Sequence, residues 1–181
     1  THDFSGYSNH GNVTNATFNK TGGMIGGAYE FNGDDTILAR APSQWTGDIS
    51  FTVSFWMKFY LTASRQGVLI IGRRDPCNQN LATVHWLIDR NNYASFGFWN
   101  CPGQNSIGQN YYNISQYEGQ WIFVTTIYNS SSKVIADYIN GNLMSTDNVT
   151  GTPNLYNTYT YIGFPALGGE SYFNGTIDEI R

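Results

Sequence analysis

Charge is scarce in this chain. Only 12% of its residues are Asp, Glu, Lys or Arg, about half the usual share of a soluble domain. What charge there is leans acidic, with 13 Asp plus Glu against 9 Lys plus Arg and a net charge of −4. That leaves no basic stripe for nucleic acid. Long apolar runs are missing as well, and none approaches the roughly 18 residues of a membrane-spanning helix. Sustained heptads are absent, which excludes a coiled coil. The first residues, Thr1-His2-Asp3-Phe4, show neither the basic start nor the apolar stretch of a signal peptide. This points to a processed chain or to a module of a longer protein. Cysteine is limited to Cys77 and Cys101. They form no Cys-X-X-Cys and have no histidine at ligand spacing, which argues against zinc.

What is abundant is aromatic. Tyr, Phe and Trp make up 16% of the 181 residues, the reverse of a disordered composition. The length suffices for a sizeable core, and residues 1–181 are expected to form one domain. With so little charge, the surface must be built from Asn, Thr and Ser, which number 20, 17 and 14. Seven Asn lie in Asn-X-Ser/Thr, about twice the chance count for this composition: Asn12, Asn15, Asn19, Asn113, Asn129, Asn148 and Asn174. They read as glycosylation acceptors of a secreted protein. The other reading is an Asn/Thr-rich composition without glycan. The two cysteines bracket a strand pair at residues 84–99, so a disulfide could clamp its base in an oxidising compartment. Two unpaired small apolar residues remain the alternative.

Strand signals recur and helix signals do not. Residues 50–60 alternate, with Phe51, Val53, Phe55, Met57 and Phe59 on one side and Thr52, Ser54, Trp56 and Lys58 on the other. Residues 84–90 and 93–99 flank Asn91-Asn92 and read as a tight hairpin. Residues 120–129 and 133–140 flank three serines, and Asn140-Gly141 marks the next turn. Residues 68–71, 159–164 and 176–181 supply further strands. Short strands punctuated by Gly and Asn imply an all-β sandwich or barrel.

Several phrases, in order, resemble one family. They are Asp3 to Gly11, Gly26 to Asp35, the strand Phe51 to Lys58, Gly119-Gln120-Trp121, Tyr138 to Gly141, and the closing Phe173 to Arg181. Together they are similar to laminin G-like, concanavalin A-like jelly-roll domains of the lectin/glucanase class. The resemblance implies two antiparallel sheets of about six or seven strands packed face to face, with Trp56 and Trp121 in the core. It also implies a calcium ion tying the N-terminal segment to the closing strand. The matching positions are Asp3 and Asp178, with backbone oxygens near Asn9 and Gly11, and calcium takes such oxygen ligands. Two departures stand out: Ile122-Phe123 follow the marker Trp121, and the closing strand is short.

Catalytic chemistry is not expected. Asp178 and Glu179 are neighbours on a strand and point to opposite faces. They cannot flank one glycosidic bond. Asp34-Asp35 meets the same objection. His2, His10 and His85 lack metal or triad spacing, and no Gly-X-Ser-X-Gly elbow occurs. Sugar rings stack on aromatic side chains while amides and carboxylates meet their hydroxyls. With a two-residue turn, Arg90 would pair with Tyr93 and Trp86 with Gly97. Val84, Trp86, Ile88, Tyr93 and Trp99 would then share one face, and Leu87, Phe96 and Phe98 the other. Both faces are apolar, and the family resemblance implies that Leu87, Phe96 and Phe98 are the core set. Trp86, Tyr93 and Trp99 are then candidate ligand contacts together with the loop residue Trp45, although Trp86 also suits a plain core role and Trp45 a lid over the core. The expected function is a non-catalytic extracellular recognition or adhesion module for glycans or cell-surface glycoproteins. The alternative is a self-assembling structural glycoprotein subunit, or an appended domain, of a surface layer or appendage. Few titrating groups also suggest a stability that varies little with pH.

Overall fold

The structure is a computed structural model. It describes residues 1–3, 6–72, 82–100, 105–153, 155, 159–164 and 171–181. Cys77, Cys101 and the expected disulfide lie outside the described residues.

The described residues form strands joined by turns and one short 3-10 turn at Ser115–Tyr117. In chain order the strands begin with β1 (Asn12–Thr14), β2 (Thr17–Asn19), β3 (Ala28–Asn32), β4 (Thr36–Arg40) and β5 (Phe51–Phe59). Next come β6 (Gln66–Ile71), β7 (Ala82–Ile88), β8 (Tyr93–Asn100), β9 (Asn105–Asn113) and β10 (Ile122–Asn129). The last are β11 (Val134–Ile139), β12 (Asn142–Asn148), β13 (Tyr159–Ile162), β14 (Ser171–Tyr172) and β15 (Asn174–Asp178). One sheet runs β1-β4-β13-β6-β7-β8-β9, with β14 parallel to β6. The other runs β12-β11-β10-β5-β15-β3-β2. Apart from β14, the ladders are antiparallel, and the result is a two-sheet jelly-roll sandwich. No helix among the described residues is long and apolar enough to cross a membrane.

The period-two pattern of β5 has the predicted consequence. Val53, Phe55, Met57 and Phe59 are buried in the seam between the sheets. Trp56 is a correction. It lies on the opposite side of the strand and is only half-buried, stacking on Phe123 at 5.1 Å. Trp121 is also half-buried outside the core, with Lys58 Nζ 5.6 Å from its ring centre. The alternation of β5 assigns Trp56 to the outer face, and the expectation from the family pattern fails there.

The β7–β8 hairpin carries the second correction. Its turn uses three residues rather than two, closed by Asp89 N–H to Tyr93 O at 2.7 Å and Asn92 N–H to Asp89 O at 2.9 Å. Asn92 adopts a left-handed backbone with φ of 67°, which asparagine tolerates well. The extra residue shifts the register by one, so Trp86 pairs with Phe96 and His85 with Gly97. A one-residue slip exchanges the faces. Trp86, Phe96 and Phe98 consequently share the core, and Tyr93 and Trp99 share the outer face with His85 and Leu87.

Trp86 is 1% exposed and packs edge-on against Phe55 at 5.5 Å. Trp45 is 6% exposed and packs on Phe51 at 4.4 Å. Neither can serve as a sugar platform. Truncating a buried tryptophan removes a large apolar surface and leaves a cavity. Trp86→Ala is therefore expected to lower stability by about 3–5 kcal/mol, measured by denaturant titration. A change below about 1 kcal/mol would contradict its place in the core.

Candidate functional site

The outer face of the first sheet is where the remaining candidates meet. Its pairings place a row across the sheet: Leu38, Tyr161, Ile70, His85, Gly97 and Gln109. Trp99 stands beside His85, with ring centres 5.7 Å apart. On the other side of that row, Tyr93 stacks on Tyr111 with centres 4.6 Å apart and planes within 11°. Tyr111 is 46% exposed. Its hydroxyl donates to Asp89 Oδ2 at 2.6 Å, and Arg65 Nη2 lies 3.9 Å from the same oxygen. Partial burial alone would raise the Asp89 carboxyl, but the Tyr111 hydrogen bond and the Arg65 charge outweigh it and hold it below the usual range. Burial and that same carboxylate push the Tyr111 phenol upward, so it remains a neutral donor.

The floor between these aromatics is small and polar. Ser95 is buried and accepts a hydrogen bond from Gln109 Nε2. Gly97 is required by close backbone approach, because a Cβ there would lie 2.7 Å from Gly108 O. His85 is 3% exposed, and its Nε2 has no hydrogen-bond partner; neither does Trp99 Nε1. Burial, assisted by Arg65, lowers the imidazole to about 3. The ring is therefore uncharged at neutral pH. The face thus combines aromatic surfaces with neutral polar groups, which suits hydroxyl-rich ligands. Tyr111 and Gln109 escaped sequence analysis. The alternating positions of β9 (Gln109, Tyr111, Asn113 against Asn110, Tyr112) were the available signal.

The expected calcium ligands have other partners. Asp3 Oδ2 accepts the Asn9 N–H at 2.8 Å. The Gly11 carbonyl accepts from the Thr1 nitrogen at 2.7 Å. Asp178 is buried, and its Oδ2 accepts the Ile25 N–H at 3.0 Å. These bonds cap turns and leave each acceptor oxygen a second lone pair, so they neither build nor exclude a cation site. Among the described residues, no group of three or more His, Cys, Asp or Glu could hold a metal. The sequon residues Asn12, Asn15, Asn113, Asn129 and Asn148 are exposed, whereas Asn19 and Asn174 are half-buried. Asn19 Nδ2 is already bonded to Glu30 at 2.7 Å.

The sandwich and its aromatic outer face define a lectin-like β-domain. The sequence matches the concanavalin A-like lectin/glucanases superfamily over residues 31–181. The chain belongs to that family. No curated protein matches it. Among solved structures it resembles domain 4 of AbnA, a GH43 extracellular arabinanase from Geobacillus stearothermophilus in complex with arabinotriose. That match has a TM-score of 0.64 at 19% identity, covering 94% of this chain and 80% of the other. The CBM40 of Ruminococcus gnavus IT-sialidase, bound to alpha2,3 sialyllactose, gives 0.60 at 14% identity, covering 85% and 88%. The botulinum neurotoxin serotype D binding domain gives 0.66 at 17% identity, covering 97% of this chain and 44% of that one. At these identities the likeness is one of fold.

Two outcomes follow from this geometry. His85 is neutral when folded and titrates near 6.5 when unfolded, so its contribution is complete above pH 6.5 and lost as pH falls toward 3. The loss is on the order of 5 kcal/mol below that window. His85→Gln is expected to tilt the pH dependence of the urea midpoints below pH 6.5 toward greater relative stability in acid, and an unchanged pH dependence would contradict the burial of a neutral ring. Separately, a calcium ion at Asp3 and Asp178 is expected to raise the thermal midpoint on calcium addition, reversibly with EDTA, and a midpoint unmoved by either would remove the cation site.

Proposed function

We propose that this chain is a non-catalytic, extracellular recognition module that binds glycans, free or on cell-surface glycoproteins, through the outer face of its first sheet. The observation that carries this reading is the Tyr93–Tyr111 stack. It is a rigid aromatic surface, half open to solvent, with the Tyr111 hydroxyl pinned by Asp89 and with Gln109 two residues along β9, while Trp99 beside His85 forms a second ring on the far side of the row. Stacking supplies affinity for sugar C–H faces, and neighbouring amides and rings meet hydroxyls. The arabinotriose and sialyllactose complexes of similarly folded domains support the ligand class. Exposed sequons at Asn12, Asn15, Asn113, Asn129 and Asn148 support a glycosylated, extracellular setting.

The second reading, a self-assembling structural subunit or appended domain, takes its support from the second sheet. Its edge strand β2 carries an exposed apolar side chain, Phe18 at 51%. An open edge of this kind invites pairing.

A glycan array followed by calorimetry separates the two. The binding reading expects saturable sugar binding by a monomer. Tyr111→Ala and Trp99→Ala should each weaken it roughly tenfold while leaving the fold intact. Wild-type affinity in both variants would remove the platform assignment. Concentration-dependent assembly in light scattering without sugar binding would favour the structural reading.

A further inference from the structure

The inner face of β9 breaks the apolar seam. Asn110 and Tyr112 point inward from it, and Thr126 on β10 and Asp137 on β11 point inward from the opposite sheet. All four are buried: Asp137 is 0% exposed, Asn110 and Thr126 1%, and Tyr112 7%. Thr126 Oγ1 donates to Asp137 Oδ1. Asp137 Oδ2, both side-chain polar atoms of Asn110 and the Tyr112 hydroxyl have no partner. No cation pairs with Asp137 among the described residues. A bare carboxylate in such a site is costly, and a carboxylic acid is not. The neutral acid also gains a donor, which the unpartnered acceptors around it can use. Polar atoms of this number inside a core are ordinarily bridged by internal water.

The position of this cluster gives it leverage. β9 and β12 are the edges where the two sheets meet. They are joined by Gln109 N–H to Asp147 Oδ2 at 2.8 Å and by Thr150 N–H to Ile107 O at 2.6 Å. Asp137 lies one strand inward from β12, with Ser145 and Thr126 as its cross-strand neighbours.

We propose that Asp137 is a proton-operated latch between the two sheets. As the neutral acid it ties Thr126 to Asn110 and Tyr112 across the seam. When it ionises, the proton passes to bulk water, the buried charge is left without a counter-charge, and β9 loosens from β11 and β12. Burial raises this carboxyl to about 7, with the Thr126 hydrogen bond opposing the rise. The titratable group facing it is Tyr112 on β9, which in turn faces Tyr117 in the 3-10 turn that follows. Tyr112 stays a neutral phenol, because burial and Asp137 push it well above its ordinary value. The folded chain therefore holds a proton between about pH 3.8 and 7 that the unfolded chain releases. This contribution is complete below 3.8 and lost as pH rises through 7. His85 acts in the opposite direction over an overlapping range, so a whole-protein stability curve conceals the latch. The inference rests on the interior alone and stands whether or not the outer face binds sugar.

The test reads Asp137 directly. Carboxyl carbon NMR on the 13C-labelled wild-type chain, with the resonance assigned by its loss in Asp137→Asn, is expected to give a midpoint between about 6 and 8. Amide hydrogen exchange, corrected for its intrinsic pH dependence, is expected to show β9 protection falling at least tenfold from pH 5.5 to 8 in the wild type. It should stay level in Asp137→Asn. If that variant does not fold, Thr126→Val supplies the second arm: loss of the bond that favours the charged form should move the midpoint upward. A wild-type midpoint near 4, or β9 protection that is level across this range, would overturn the proposal.

Discussion

The site on this sandwich depends on one backbone conformation. Asn92 adopts the left-handed region, the hairpin turn takes three residues, and every side chain of β8 is thereby assigned to a face. Phe96 and Phe98 enter the seam beside Trp86 and Phe55, where their rings meet edge to face. Tyr93, Ser95, Gly97 and Trp99 are left outside. A two-residue turn would have exchanged these sets. The core would then have received a serine and a glycine, and the surface two phenylalanines. Burial of the phenylalanines and the open aromatic face are consequences of the same register.

The two faces of β9 then divide the labour of the strand. Outward, Gln109 and Tyr111 complete a neutral polar floor walled by aromatic rings. Inward, Asn110 and Tyr112 meet Thr126 and Asp137 in a buried polar cluster. The molecule has few charges, and two of its ionisable side chains are buried in opposite senses. His85 is held neutral by burial on the outer-face side, and Asp137 is driven toward neutrality by burial in the seam. One loses stability toward acid and the other toward base. The pH response is therefore governed by two buried groups acting in opposite directions and not by the low charge count alone.

The adjacent carboxylates Asp178 and Glu179 have separate structural roles. Asp178 caps the loop at Ile25, and Glu179 takes a left-handed backbone and pairs with Arg181 at 2.6 Å. Beyond that kink, Arg181 resumes backbone pairing with Ser54 at 2.9 and 3.0 Å. The closing strand is short, but it lies between β5 and β3 at the centre of its sheet, not at an edge.

By itself the sequence determined the all-β class, the alternation of β5, the β10–β11 and β11–β12 hairpins and the family. Local pattern carries these features: period-two hydrophobicity, turn residues such as Asn140-Gly141, and ordered motifs. It did not mark β1, β2, β4, β9 or β14, which are short or rich in Asn and Tyr and lack a sustained apolar period. Tertiary structure alone decided the outer-face assignment of Tyr93, Trp99 and Tyr111, the burial of Trp45 and Trp86, and the enclosure of His85 and Asp137. The reason is physical. A tryptophan or a histidine reads the same in a sequence on either face of a strand. The face is set by the number of residues in a turn and by what the opposite sheet brings against it.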